Sequence, residues 1–309
     1  MLSSEAQPNL DAIALGASYI EGKFNLSYSL YGIGGSNSTI NGYGKETDLM
    51  KTFFVHKVTI SNDVFRFGFS EMNCIYGAHP GFFDMTPFVL WHNLYQEEHS
   101  NVMIEVSLEG KIKELRLWAQ YAQDDLYFPG EGGFNNKPTG IGFGFGFDYK
   151  LFGGEEFSSP IRKNNDYALK EATLRDEGGF HLVGEFYWAT NYLYNRRKSY
   201  GKGFENDKYG KMTLPYRFYS SYGGFTDNID AYYLGFPFGP GSILLSLSFE
   251  MENQWMKGEV RSALLMRGDD DIDTVIDGTT KDTWLHLNGD IKRVWSVEGK
   301  LSLSLDKYL

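Results

Sequence analysis

The stretch Ile141-Gly-Phe-Gly-Phe-Gly-Phe-Asp-Tyr149 repeats with a strict period of two. Each odd-numbered position holds a large apolar or aromatic residue, whereas the even-numbered positions hold glycine and then Asp148. Successive side chains of a β-strand point to opposite faces, so this segment has one apolar face and one small or polar face. A strand between lipid and a hydrated interior needs such a division.

The same alternation recurs along most of the 309-residue chain. It predicts an all-β protein, and specifically an antiparallel up-and-down transmembrane β-barrel of roughly 12–16 strands forming a single domain over residues 1–309. A soluble β-sandwich or lipocalin-like barrel is the alternative, since it shows the same period with its apolar face turned inward. Further segments with this pattern begin at Phe24, Phe65, Val102, Leu115, Phe180, Ile243, Gly258, Leu285 and Val297.

The spacing of the turns favours the membrane barrel, in which short periplasmic turns alternate with long extracellular loops. Short turns are predicted at residues 21–22, 61–62, 110–111, 253 and 293–296. Long connections are predicted at residues 32–48, 73–100, 124–138, 152–179, 191–229 and 268–282.

Composition limits the classes of function. Aromatic residues make up 17% of the chain, which fits a barrel with aromatic girdles. The net charge of −11 argues against a nucleic-acid partner. Cys74 is the single cysteine, which excludes a disulfide scaffold and predicts a small apolar filler near a strand end. No apolar run approaches the ~18–20 residues of a membrane-spanning helix.

The first residues, Met1 to Glu5, lack the basic and apolar regions of a signal peptide. For an outer-membrane protein, this predicts either that the signal has been removed or that the chain begins inside a longer gene.

Motifs for catalysis and cofactor binding are incomplete. Gly44-Lys45 lacks the upstream glycine of a phosphate loop. The aspartates at 269, 271 and 273 resemble a calcium loop, but Thr274 replaces the turn glycine, so a loose surface calcium site and an acidic loop both stay open. His99 and Ser100 are adjacent, and on a strand they would face opposite ways. We therefore predict no enzyme, no cofactor and no metal site.

Charged residues at polar strand positions are predicted to line the hydrated interior. They either pair with one another or shape the passage of a polar solute. These residues are Arg66, Arg116, Arg261, Glu105, Glu185 and Glu259.

A basic and aromatic patch lies in the long connection after residue 191. Arginine and lysine suit the carboxylates or phosphates of an anionic polysaccharide, and aromatic rings suit the apolar faces of sugars. Contact with lipopolysaccharide phosphates and a solvated loop are the alternatives. The candidate ligand-binding residues are Arg196, Arg197, Lys202, Tyr192 and Tyr200.

Several short motifs resemble the capsule assembly Wzi-like family of outer-membrane β-barrel proteins. The resemblance implies a non-enzymatic barrel that helps attach or assemble capsular or other exopolysaccharide at the cell surface. Its expected partners are outer-membrane lipid, lipopolysaccharide and surface polysaccharide. A porin-like channel for small polar solutes is the second hypothesis. The motifs are Gly68-Phe-Ser-Glu71, Tyr76-Gly77, Met85-Thr-Pro-Phe88, His92-Asn93, Ser100-Asn101, Trp118-Ala-Gln-Tyr-Ala-Gln-Asp-Asp125, Tyr232-Tyr-Leu-Gly-Phe236 and Phe238-Gly-Pro-Gly241.

Overall fold

The computed structural model describes residues 12–21, 24–37, 49–76, 100–125, 139–153, 178–194, 213–217, 229–233, 236–253, 256–270, 274 and 286–303. Within these ranges every regular element is a β-strand. The strands are β1 (Ala12–Glu21), β2 (Phe24–Asn37), β3 (Leu49–Ser61), β4 (Phe65–Tyr76), β5 (Ser100–Ile112), β6 (Leu115–Asp125), β7 (Gly140–Phe152), β8 (Gly179–Ala189), β9 (Thr213–Arg217), β10 (Ile229–Tyr233), β11 (Ser242–Glu252), β12 (Met256–Arg267) and β13 (Lys292–Leu303).

Eleven of these strands form one antiparallel sheet in the order β1 to β8, then β11, β12 and β13. Each strand pairs with its predecessor in the sheet, and β9 and β10 form a separate two-stranded sheet within the β8–β11 connection. The predicted all-β, up-and-down architecture is confirmed. The sheet is not closed, because among the described strands β1 pairs with β2 alone and β13 with β12 alone.

The two faces of the sheet differ in polarity and in exposure. In β11, Leu245 and Leu247 are 52% and 51% exposed, whereas Ser246 and Ser248 between and beside them are 5% and 7% exposed. We call the side bearing the leucines the apolar face and the opposite side the polar face. Small polar side chains are shielded and large apolar ones are not, which is the reverse of a sandwich or a lipocalin-like barrel.

The loop-end part of β2 to β4 departs from this rule. His56, Glu71 and Asn73 stand at apolar-face positions of the register, yet each is almost completely buried. The Tyr28 hydroxyl oxygen and His56 Nδ1 are hydrogen-bonded at 2.7 Å. The exposed apolar surface therefore does not extend over this part of the sheet.

The glycines of β7 and β8 let aromatic rings lie across neighbouring strands. A Cβ atom on Gly146 would stand 2.3 Å from Cζ2 of Trp118, whose ring covers that position on the polar face. A Cβ on Gly184 would stand 2.3 Å from Cε1 of Phe147 on the apolar face. A Cβ atom cannot lie so close to a ring atom. Glycine at these positions therefore makes room for the neighbouring rings, in addition to separating the polar face from the apolar face.

Short connections join β1–β2, β3–β4, β5–β6 and β11–β12 at one end of the sheet, which we call the short-turn end. Asn62 and Asn253 organise two of these turns, since their Oδ1 atoms accept backbone N–H groups three residues on. The opposite end is the loop end. The connection of residues 153–178 is an exception, because it is long and lies at the short-turn end.

Two of the predicted turns are wrong. Gly110 lies inside β5, opposite Leu117, and the β5–β6 turn falls at Lys113 and Glu114, where Lys113 has a φ of 53°. Glycine indicates a turn only where the backbone takes a conformation that other residues avoid. Gly110 lies in an ordinary strand, and a Cβ added to it would meet no atom within 4 Å. Residues 293–296 lie inside β13, so the expected turn there is an uninterrupted strand.

The main core lies on the polar face at the loop end, and we call it the loop-end cluster. Leu193, Tyr194 and Phe236 come from the β8–β11 connection and pack in one cluster with side chains of six sheet strands. These three residues therefore cover the polar face of the sheet at the loop end. The sheet members are Phe53, Val55, Met72, Cys74, Met103, Ala122, Tyr187, Ala189 and Leu244.

Backbone hydrogen bonds fix three stretches of chain to one another beside this cluster. Gly241 N donates to Thr190 O at 3.0 Å, and Gly268 N donates to Gly241 O at 2.8 Å. Asn191 Nδ2 donates to His286 O at 2.9 Å. The connections that follow β8, precede β11 and follow β12 are therefore held together at the loop end.

Candidate functional site

The polar face carries a chain of charged side chains near the short-turn end. Glu109 of β5 lies opposite Arg66 of β4, and its Oε2 is 3.3 Å from Arg66 Nη1. Its other carboxylate oxygen accepts a hydrogen bond from Nε of Arg116 on β6. The Arg116 guanidinium carbon lies 4.8 Å from the ring centre of Trp118, close enough for a cation–π contact. One carboxylate therefore neutralises two arginines in a shielded position.

A second cluster lies further round the same face, on β8, β11 and β12. Arg261 Nη2 donates to Glu185 Oε2 at 3.0 Å and to Ser246 Oγ at 3.2 Å. Ser246 Oγ donates to the same carboxylate at 3.1 Å, and the Tyr187 hydroxyl donates to its other oxygen at 3.2 Å. The hydrogen bonds fix the carboxylate from three sides, which favours a rigid ion pair over a mobile binding group.

His181 and Asp148 form a buried pair between β7 and β8. His181 Nδ1 lies 2.7 Å from Asp148 Oδ1, and the two atoms share one proton. His181 Nε2 donates to the carbonyl of Gly178 at 3.1 Å. The pair connects the polar face of the sheet to Gly178, which directly precedes β8. Sequence reasoning missed it, because neither residue belongs to a linear motif, although cross-strand pairing with a polar strand position could have suggested it.

The structure places all six predicted interior charges on the polar face. Arg66 and Arg116 meet at Glu109, a polar strand position outside the predicted set, and Arg261 meets Glu185 of that set. Glu259 lies 3.7 Å from Lys300 Nζ at a more exposed edge, where an ion pair contributes little. Glu105 lies opposite Ala122, on a different part of the face. The predicted charges therefore belong to separate clusters.

Of the predicted polysaccharide-binding residues, Tyr192 alone is described. It lies in the turn at residues 191–194 and is 5% exposed, so its ring offers little surface to a ligand. Arg196, Arg197, Tyr200 and Lys202 lie outside the described residues.

Other kinds of site find no support in the described residues. They contain no group of three or more His, Cys, Asp or Glu side chains placed to hold a metal ion. No helix in the described part of the chain is long and apolar enough to cross a membrane.

No family model, no curated protein and no solved structure matches this chain. The resemblance to the Wzi-like family therefore stays a prediction.

Proposed function

We propose that the chain is a non-enzymatic outer-membrane barrel protein that takes part in the surface attachment or assembly of capsular or other exopolysaccharide. The exposure of the apolar face carries the proposal. Phe145, Leu245 and Leu247 are each about half exposed, among many others of that face. Leaving a Leu or Phe side chain in water forfeits about 1.5–3 kcal/mol relative to burial, and lipid would remove this cost for the whole face at once.

The dimensions of the sheet support the same environment. Its strands are 10 to 14 residues long, and a tilted strand needs about 9–11 residues to cross a bilayer. Up-and-down pairing with short turns at one end is typical of outer-membrane barrels.

The filled loop end favours an attachment role over a porin-like channel. Leu193, Tyr194 and Phe236 are fully buried within the loop-end cluster. A diffusion pore needs a continuous hydrated passage, and an apolar core across one end opposes it. The ion pairs of Glu109 and Glu185 likewise hold Arg66, Arg116 and Arg261 in fixed positions.

The polysaccharide part of the proposal rests on the family resemblance and on the basic patch. Tyr194, the last described residue before the basic patch, belongs to the loop-end cluster. Long loops of outer-membrane barrels face the cell exterior. A patch containing Arg196 and Arg197 would then stand where surface polysaccharide lies.

The membrane part is tested by Leu247→Lys on the apolar face. In lipid a lysine near the bilayer centre costs about 2–4 kcal/mol, whereas on a water-exposed surface it would cost almost nothing. We expect a large loss of insertion into lipid vesicles and of urea resistance. Ser296→Lys, on the exposed polar face of β13, is the matched control. If both variants match the wild type in vesicle insertion and in urea resistance, the sheet is water-soluble and the membrane part is wrong.

The polysaccharide part is tested by replacing Arg196 and Arg197 together with alanine. We expect the folded, detergent-solubilised protein to be retained on a column of anionic polysaccharide, and the double variant to elute earlier and at lower salt. A Lys292→Ala and Lys300→Ala variant removes the same charge elsewhere. Identical elution of both variants would assign retention to net charge, and no retention of the wild type would contradict the proposed ligand.

A further inference from the structure

The apolar face contains a groove that the proposed function does not use. It has a volume of about 550 Å³ and crosses β7, β8, β11, β12 and β13. Its floor is low because Gly184 and Ser262 are small, and taller side chains stand beside them in the neighbouring row of the register. These taller side chains are Phe145, Phe186, Leu245, Leu264 and Trp295.

The groove lacks the hydrogen-bonding groups that a peptide needs. Ser262 Oγ, the hydroxyl of its floor, already accepts the indole N–H of Trp295 at 2.9 Å. A peptide would bring backbone N–H and C=O groups that must find partners in an apolar medium. A hydrocarbon chain brings none, so it suits the groove.

A cation stands at the loop end of the groove. Arg293 pairs with Met266 and shares the apolar face with Trp295, two residues further along β13. A two-residue step on a strand is about 7 Å. Arg293 is the one charged side chain on the apolar face of β11, β12 and β13, and among the described residues no carboxylate lies within ion-pair distance of it.

An arginine on a lipid-facing surface is costly at the bilayer centre but nearly neutral at the interface. Arg293 lies one residue from the loop-end limit of β13, where the interface would be. Its guanidinium is suited to a phosphate, with which it forms paired charge-assisted hydrogen bonds. The apolar groove and the cation therefore complement the two halves of a phosphorylated lipid.

We propose that this groove binds one acyl chain of a lipid A-type glycolipid, with a phosphate of the same lipid on Arg293. The proposal rests on the proposed membrane location, since it requires the apolar face to meet lipid. It assigns to the protein a specific lipid site in addition to general contact with the bilayer. Lipid A is the proposed lipid because Arg293 lies at the loop end, and the long loops of outer-membrane barrels face the outer leaflet, which contains lipid A.

The test is a lipid titration by native mass spectrometry on the full-length protein folded in detergent. Hexa-acylated lipid A with two phosphates is the probe, and its dephosphorylated form is the comparison. We expect one tightly held lipid A per wild-type chain. Ser262→Leu, which fills the groove, should weaken binding of both probes about tenfold or more, because the acyl chain loses its place.

Arg293→Gln should weaken binding of phosphorylated lipid A about tenfold and leave the dephosphorylated form unchanged. Gly110→Leu places the same leucine side chain on the apolar face of β5, and Lys292→Gln removes one positive charge on the polar face of β13, so both should bind as the wild type does. Equal binding by Ser262→Leu and Gly110→Leu would overturn the groove, and equal binding by Arg293→Gln and Lys292→Gln would overturn the phosphate site.

Vesicle insertion is measured on every protein beforehand. A wild type that inserts but retains no lipid A contradicts the groove alone. A wild type that does not insert contradicts the proposed function as well.

Discussion

Glu109→Gln is expected to lower the free energy of unfolding by about 3–5 kcal/mol. The carboxylate contacts Arg66 and Arg116, and its side chain is 10% exposed. The neutral amide keeps the shape but leaves two shielded guanidinium groups close together without an anion. The loss is therefore the cost of uncompensated charge, which exceeds the worth of either ion pair by itself.

Urea unfolding in detergent, followed by tryptophan fluorescence, measures this loss. Glu252→Gln is the matched control, because Glu252 lies 3.9 Å from Lys257 and both side chains are well exposed. We expect less than about 1 kcal/mol there. Similar losses in the two variants would mean that Glu109 does not neutralise a buried pair of cations.

Tyr194→Ala is expected to detach the β8–β11 connection from the interior of the sheet. The ring is fully buried in the loop-end cluster, and its hydroxyl oxygen accepts the Phe236 backbone N–H at 2.7 Å. Removing a buried aromatic ring costs about 3–5 kcal/mol. The Phe236 N–H loses its partner as well, so the local opening should become frequent while the strand ladder persists.

Planar-bilayer conductance and hydrogen exchange read out this opening. The wild type should conduct little, and Tyr194→Ala should show larger or flickering currents and faster exchange near Phe236. Tyr194→Phe keeps the ring and loses the hydroxyl, so its loss of stability should lie between them, at about 1–3 kcal/mol. A wild type with steady, large currents would support the porin-like alternative instead.

The segments named from period-two alternation coincide with nine of the eleven strands of the large sheet. They did not include β1 or β3, and the strand expected from Leu285 was wrong, because residues 286–291 are not a strand. From Gly142 to Tyr149 and from Ser242 to Phe249, shielded and more exposed positions alternate with the sequence, because the pleat ties side-chain direction to position.

The turns and the interior clusters could not be predicted in the same way. Gly110 lies in a strand, and Lys113 takes the left-handed conformation at the actual turn, since register across neighbouring strands decides where a hairpin ends. The loop-end cluster joins residues as distant as Phe53 and Leu244. No local period encodes a cluster that gathers side chains from segments so far apart in the sequence. Glu109 and Asp148 became recognisable as charge partners only when their cross-strand neighbours were known.

The direction of the two outermost strands has a consequence for how the sheet could become a cylinder. β1 leads into a short turn and β13 follows a long connection, so both run from the loop end to the short-turn end. Joined directly, they would make a parallel seam, whereas bacterial single-chain barrels keep every neighbour antiparallel by having an even strand count. An all-antiparallel cylinder built on these eleven strands therefore needs an odd number of added strands. If one strand is added, it runs from the short-turn end to the loop end and forms hydrogen bonds with β1 on one side and with β13 on the other.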